Sequence, residues 1–275
     1  MASLRSHLRK TIRAIFYISA VKKFLETVPV IRNVYAPAQR THPIDSIYGI
    51  DTSGVVPVEN IHPDQSLQSL IIAYVGSQPS TVRRAVSALG DIRDYVFVDL
   101  GCGKGRVTTV ASEFPFRAVI GVELSGALAA TARANAATIA RQFPDRPKVT
   151  IAEANVVNFP LPAGKLVFFN YHAFGPELIA QIVARFEAAL ACGELPHMFF
   201  VYYNPVHPQA FDDSPALARF YVEQIPYDKS EIGFGPDRDD VVAVWQSVRG
   251  STLSPHQGAD RKIIRAHPSR AALAQ

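Results

Sequence analysis

Between residues 96 and 106 the chain reads VFVDLGCGKGR, an apolar run that ends in an acid and three alternating glycines. A strand, a tight glycine turn and then a helix is the geometry that presents backbone N–H groups to a ligand at a helix start. Gly101, Gly103 and Gly105 let the main chain turn and approach that ligand with no Cβ in the way. Spacing narrows the ligand. Counted from Gly101, a dinucleotide fingerprint needs glycine or alanine at position 106, and the residue there is Arg106, whose side chain would obstruct close helix–strand packing. Asp99 would also aim negative charge at a pyrophosphate. NAD and FAD are disfavoured on both counts, and Asp99 suits a cationic ligand better. The next apolar run, AVIGVEL, carries Glu123 eighteen residues after Gly105, where a carboxylate can accept hydrogen bonds from two ribose hydroxyls.

The elements that must position these residues alternate between strand and helix. Tyr95–Leu100, Ala118–Leu124, Lys148–Ala152, Leu166–Tyr171 and Met198–Tyr203 are short apolar runs. Such runs, separated by helical patterns, indicate a parallel sheet buried on both faces. A helix from Pro79 to Leu89 leads into the first strand, and helical spacing follows it through Val107, Val110 and Ala111. Ser125 caps an Ala-rich helix reaching about Gln142, and Pro176 opens another to about Ala191. The last two strands, near Tyr221–Tyr227 and Asp240–Ser247, have no long helix between them and are read as an antiparallel pair.

DLGCGKG (99–105) and VIGVELS (119–125) resemble the first and second motifs of the class I S-adenosylmethionine-dependent methyltransferases, a resemblance that spans residues 74–247. It implies an α/β, Rossmann-like, seven-stranded and mostly parallel sheet with a terminal antiparallel strand and helices on both faces. It also implies S-adenosyl-L-methionine as cofactor, S-adenosyl-L-homocysteine as product, and no metal. Carried over to these positions, Asp99 and the loop Gly101, Cys102, Gly103 and Gly105 serve the amino-acid end of the cofactor, Glu123 holds the ribose, and Leu124 covers the adenine. Cys102 is a small filler whose main chain faces the ligand. In IAEAN, Glu153 followed by Ala154 occupies the place of the acid that reaches the adenine amino group; an offset to Asn155 and a solvated loop acid are the other readings. Tyr74, Gln78 and Ser80 lie where relatives bring a segment over the cofactor carboxylate, with a helix cap after Pro79 as the other reading of Ser80.

The residues after the fourth strand, NYHAFG (170–175), border the methyl group in this fold. Asn170 stands first and Phe174 later, but Tyr171, His172 and Ala173 replace the paired prolines of amino-methylating relatives, which speaks against nucleobase N-methylation. His172 is read either as a general base, since an imidazole suits proton transfer near neutral pH, or as a surface or capping residue. Tyr171 and Phe174 read as wall residues. Asn204, in YYNP after the fifth strand, points to the same rim as a substrate contact or a turn-forming Asn-Pro.

Charge bears on the acceptor. Residues 1–40 hold eight Lys/Arg against Glu26, and residues 249–275 hold five against Asp260; with +4 overall, residues 41–248 carry a net −7. An acidic core speaks against nucleic acid as a partner, because affinity for it rests on clustered Lys/Arg. A protein side chain or a small molecule is favoured as the unidentified methyl acceptor. The chain divides into a basic N-terminal helix and proline-rich extended lead-in (1–64), the methyltransferase domain (65–250) and a loose basic tail (251–275). Segment 4–25 reads as a helix packed on the domain, a basic interfacial helix making peripheral membrane contact, or an export signal, against which Lys22 and Lys23 argue. No apolar run reaches the ~18 residues that span a bilayer. Two cysteines, Cys102 and Cys192, cannot staple a chain of 275 residues, so a reducing cytoplasm is the default location. The function expected is methyl transfer from S-adenosylmethionine; the alternative is a non-catalytic, regulatory protein that binds it.

Overall fold

Each apolar run becomes a strand whose length follows the run. The computed structural model describes residues 40–234 and 239–249. Segment 4–25 and tail 251–275 therefore lie outside the described residues. In chain order the elements are α1 (Pro43–Tyr48), β1 (Val55–Val56), β2 (Tyr74–Val75), α2 (Pro79–Ser87), β3 (Tyr95–Leu100), α3 (Arg106–Ala111), β4 (Ala118–Glu123), α4 (Gly126–Gln142) and β5 (Val149–Glu153). They continue with β6 (Lys165–Tyr171), α5 (Pro176–Cys192), β7 (Met198–Tyr203), α6 (Gln209–Asp212), β8 (Leu217–Pro226) and β9 (Asp239–Ser247).

Seven strands form one sheet in the order β5-β4-β3-β6-β7-β9-β8. The pairs from β5 to β7 are parallel, and β9 runs antiparallel to both β7 and β8. The antiparallel pair expected from the two late runs is present, with β9 inserted inside the edge strand β8. Side chains alternate between two cores. Val96, Val98, Leu100, Phe168 and Phe200 face α5, meeting Ile179, Ile182 and Phe186. Phe97, Val119, Phe169 and Val201 face α2 and α3, meeting Val82, Val86, Val107 and Val110. Strands buried on both faces must read as unbroken apolar runs, which is why they were visible in the sequence. Among the described residues no helix is long and apolar enough to cross a membrane.

The lead-in departs from expectation. From Pro43 it is not simply extended: it forms α1 and helical turns at Val58–Ile61 and Gln65–Gln68. Proline is tolerated in a first helical turn, where its missing N–H costs nothing, so Pro43 and Pro57 mark starts of helix instead. β1 and β2 pair as a short antiparallel ribbon. His42, Ile44, Asp45 and Thr52 are buried against the domain.

His42 illustrates how this segment is fixed. Its Nδ1 accepts the Ile44 N–H at 3.2 Å, so the proton sits on Nε2, which donates to Gln78 Oε1 at 3.1 Å. Burial first, and the Arg106 charge second, lower its pKa from 6.5 to about 4. His197, whose Nδ1 meets the Tyr95 hydroxyl at 2.9 Å, is lowered to about 4 by burial and then Lys165. A base whose folded pKa is depressed stabilises the fold above its unfolded pKa and loses that contribution as pH falls. The urea midpoint is therefore expected to drop between pH 6.5 and about 4. A His42→Gln, His197→Gln double variant should lose most of that slope; a slope unchanged from wild type would contradict the assignment.

Candidate functional site

The turn after β3 is built on left-handed backbone. Gly101, Gly103 and Gly105 have φ of 78°, 54° and 82°, a region that side-chain-bearing residues rarely adopt. Gly105 is the N-cap of α3. A second constraint acts at Gly103: a Cβ there would lie 2.1 Å from the Tyr74 ring. Cys102 is buried under the turn with its sulfur against Gly121, and burial, with Asp99 and Glu123 nearby, pushes its thiol well up. Cys102 and Cys192 are both free thiols.

Register brings the acids together. Asp99 pairs with Gly121 across β3 and β4, and Glu123 with Glu153 across β4 and β5. Glu123 is buried; its Oε2 accepts the Gly103 N–H at 2.7 Å and its Oε1 the Ser125 N–H at 2.9 Å. Burial raises its pKa, and the N–H groups of Ser125, Gly103 and Leu124 counter this. Each carboxylate oxygen keeps a further acceptor position. Asp99 is only 2% exposed, and its Oδ2 has no partner. Burial, then repulsion from Glu123, holds its pKa well above the usual carboxylate range. An orphaned buried carboxylate is costly unless a cation or donor meets it.

Leu124 and Ala154 flank Glu123, with the Ala154 N–H donating to the Glu123 carbonyl at 2.9 Å. Glu153 is half exposed, its carboxylate 3.4 Å from Arg133, while the Asn155 side chain turns back to accept the Val157 N–H at 3.0 Å. On the other side, Gly101 abuts the loop after β6: a Cβ on it would lie 3.0 Å from the Ala173 side chain. Asn170 is buried, donating to the Leu100 carbonyl at 3.3 Å and accepting the Ala173 N–H at 3.3 Å. His172 has a left-handed φ of 39°, and its ring centroid is 6.3 Å from that of His207.

Of the three residues expected above the loop, Tyr74 alone lies on it, its hydroxyl donating to the Thr52 carbonyl at 2.6 Å. Gln78 is turned to His42. Ser80 bonds Glu231, its N–H at 2.9 Å, and does not cap α2; the N-cap residue is Gln78, which makes no side-chain cap bond.

The lead-in supplies a covering that sequence reasoning missed. Arg106 is buried and its guanidinium donates to Thr52 Oγ1 and the Thr52 carbonyl, each at 2.8 Å, and to the Ser77 carbonyl at 3.2 Å. Thr52 in turn donates to Asp45. Lys104 within the glycine turn meets Asp51 and the Ser53 carbonyl, each at 2.8 Å, and Asn135 clasps the Asp51 backbone. The small polar run Asp51-Thr52-Ser53-Gly54 was the available signal. Arg106, read as an obstacle to a dinucleotide, is the bolt between this segment and α3.

No protein-family model matches the chain, and no curated protein matches it. Among solved structures it is similar to an RNA methyltransferase from Salinibacter ruber in complex with S-adenosyl-L-homocysteine (18% identity, 66% of this chain and 100% of that one, TM-score 0.44). It is also similar to a dimethyladenosine transferase from Plasmodium falciparum (9%, 63% of each chain, 0.44). A third is a magnesium protoporphyrin IX methyltransferase from Synechocystis with bound SAM (12%, 62% and 76%, 0.41). The chain's own fold is α/β, its sheet seven-stranded and mostly parallel.

Lysine can make neither the forked contact with Thr52 nor reach Ser77 at once. Arg106→Lys is expected to cost about 2–4 kcal/mol in urea unfolding and to open residues 42–56 to limited proteolysis. Unchanged stability and cleavage would show that the covering is held by something else.

Proposed function

We propose that the chain is a class I methyltransferase that binds S-adenosyl-L-methionine along β3 and β4 and passes its methyl group to an acceptor at the ends of β6 and β7. The observation that carries this reading is the partnerless Oδ2 of Asp99, buried beside Glu123 at a turn of three left-handed glycines. A cofactor with an ammonium and a sulfonium supplies the charge that Asp99 lacks, and its ribose diol suits the remaining acceptor positions of Glu123. When bound, the cofactor supplies an activated methyl group. Transfer is an in-line displacement, so the protein chiefly aligns, with a base where the nucleophile arrives protonated.

Asn170 acts as a positioning residue, tying the loop that carries His172 to the end of β3. His172 takes the acceptor's proton, its ring lying on that loop beside Gly101's neighbour Ala173. Leu124 and Ala154 border the adenine, and Glu153 or Asn155 meets its amino group. Tyr74 closes over the glycine turn. Gln78, turned to His42, braces this covering, and Ser80 ties the start of α2 to Glu231. The net −7 of residues 41–248 favours a protein side chain or a small molecule as acceptor; the setting proposed is cytoplasmic, with the basic segment 4–25 either packed on the domain or in peripheral contact with a membrane.

Calorimetry should find that S-adenosylmethionine binds and NADH does not. Glu123→Ala should weaken the cofactor by at least ~10-fold, since hydrogen bonds to a charged group contribute about 1.5–3 kcal/mol. NADH binding without S-adenosylmethionine binding would sink the assignment. Labelled-methyl transfer to a cell extract fractionated into protein, lipid, nucleic acid and small molecules then identifies the acceptor class.

For His172→Ala, the expected outcome is a kcat lowered ~10²–10⁴-fold with cofactor affinity preserved. A raised KM at unchanged kcat would make His172 a wall of the site, and lost cofactor binding would place it on the cofactor side.

A further inference from the structure

A second buried polar group is left without partners at the same edge of the sheet. Asn204 follows β7 directly and is 1% exposed, and neither its Oδ1 nor its Nδ2 has a hydrogen-bond partner. An unmet donor and an unmet acceptor in one buried amide are costly to the fold. Its backbone is left-handed at φ 56°, and its N–H is held by the Val241 carbonyl at 2.8 Å. His172 and Asn204 are the non-glycine residues with positive φ among those described. Both stand one step beyond the paired residues Tyr171 and Tyr203 of the adjacent strands β6 and β7. Backbone held in a sparsely populated region, next to an unpaired polar group, is stored cost of the kind found at ligand sites.

We infer that Asn204 reads the methyl acceptor, pairing its amide with a neutral group that offers a hydrogen-bond donor and an acceptor side by side, such as a carboxamide or a lactam edge. The inference rests on the methyl-transfer reading of the same rim. Neighbouring strands lie about 4.8 Å apart, so the ends of β3 and β7 are separated by roughly 10 Å with β6 between them. A group lying across β6 therefore reaches from the cofactor turn, past His172, to Asn204. His207, three residues on, returns its ring towards that of His172, centroids 6.3 Å apart. Residues 206–208, which follow Asn204 in the chain, are partly exposed, and it is where they give way that the proposed acceptor enters. A carboxylate would meet the Nδ2 and leave Oδ1 facing a like partial charge, and an ammonium would do the reverse. A site built on paired hydrogen bonds rejects groups that leave half of it unmet.

The test uses the full chain loaded with S-adenosylhomocysteine and two probes of one shape, benzamide and benzoate, followed by saturation-transfer NMR. Wild type is expected to bind benzamide and not benzoate. Asn204→Asp keeps the shape and tolerates the backbone, and Asn204→Gly keeps the left-handed conformation should the first variant misfold. Both should weaken benzamide more than ~10-fold with S-adenosylhomocysteine affinity within twofold of wild type. Equal benzamide binding by the variants would overturn the inference, assigning the amide to a buried water. Equal binding of both probes to wild type, or of neither, would overturn it as well, while the cofactor reading stood. Failure of wild type to bind S-adenosylhomocysteine would remove the cofactor reading and this inference with it.

Discussion

Two carboxylates buried at the ends of adjacent strands set the terms for the rest of this molecule. Asp99 and Glu123 repel one another, and water is kept from both. Glu123 is sustained by main-chain N–H groups from the glycine turn and the start of α4. That bond to Gly103 is what fixes the turn, and the turn can close only because three of its residues adopt positive φ. Asp99 receives no such help. One carboxylate is satisfied by main chain and the other keeps a buried oxygen without a partner, a cost that the fold carries.

The covering segment follows from the same geometry. A turn that exposes main chain must be sheltered by something, and here residues 42–56 and Tyr74 do so. Arg106 secures them through Thr52 and Asp45, and Lys104 does so from inside the turn. One short stretch of chain therefore does two things: the residues between Asp99 and Arg106 form the glycine turn and also fasten what lies above it.

How much of this was legible depended on how local the physics is. The inner strands could be read almost to the residue because burial on both faces forbids polar interruption: Tyr95–Leu100 and Met198–Tyr203 have the predicted limits, whereas the edge strand expected near Tyr221–Tyr227 begins at Leu217. Three alternating glycines, an acid before them and an acid ending the next strand were also local facts. What the sequence could not display were contacts between distant segments. Nothing near Arg106 announces Thr52, and nothing near Gln78 or Ser80 announces His42 or Glu231, so a residue near the site in sequence was taken for one near it in space. Prolines misled for a different reason, since proline both breaks extended pairing and opens helices, and only packing shows which role Pro43 has. Asn204 lies in between: its position after β7 is local, but its partnerless amide is a matter of packing in three dimensions.

The position of β9 has a consequence for how the chain is made. Because β9 lies between β7 and β8, β8 has no neighbour in the sheet until the last strand has been synthesised. A growing chain can assemble β3 to β7 as their sequences appear, yet it must hold the Leu217–Pro226 strand in waiting, with the outer edge of β7 uncovered. An unpaired edge rich in Phe and Tyr is a template for pairing with other chains. Completion of the sheet is thus a single late event that seals two edges at once, and any pause in translation before residue 239 prolongs the interval in which a partly built molecule is adhesive.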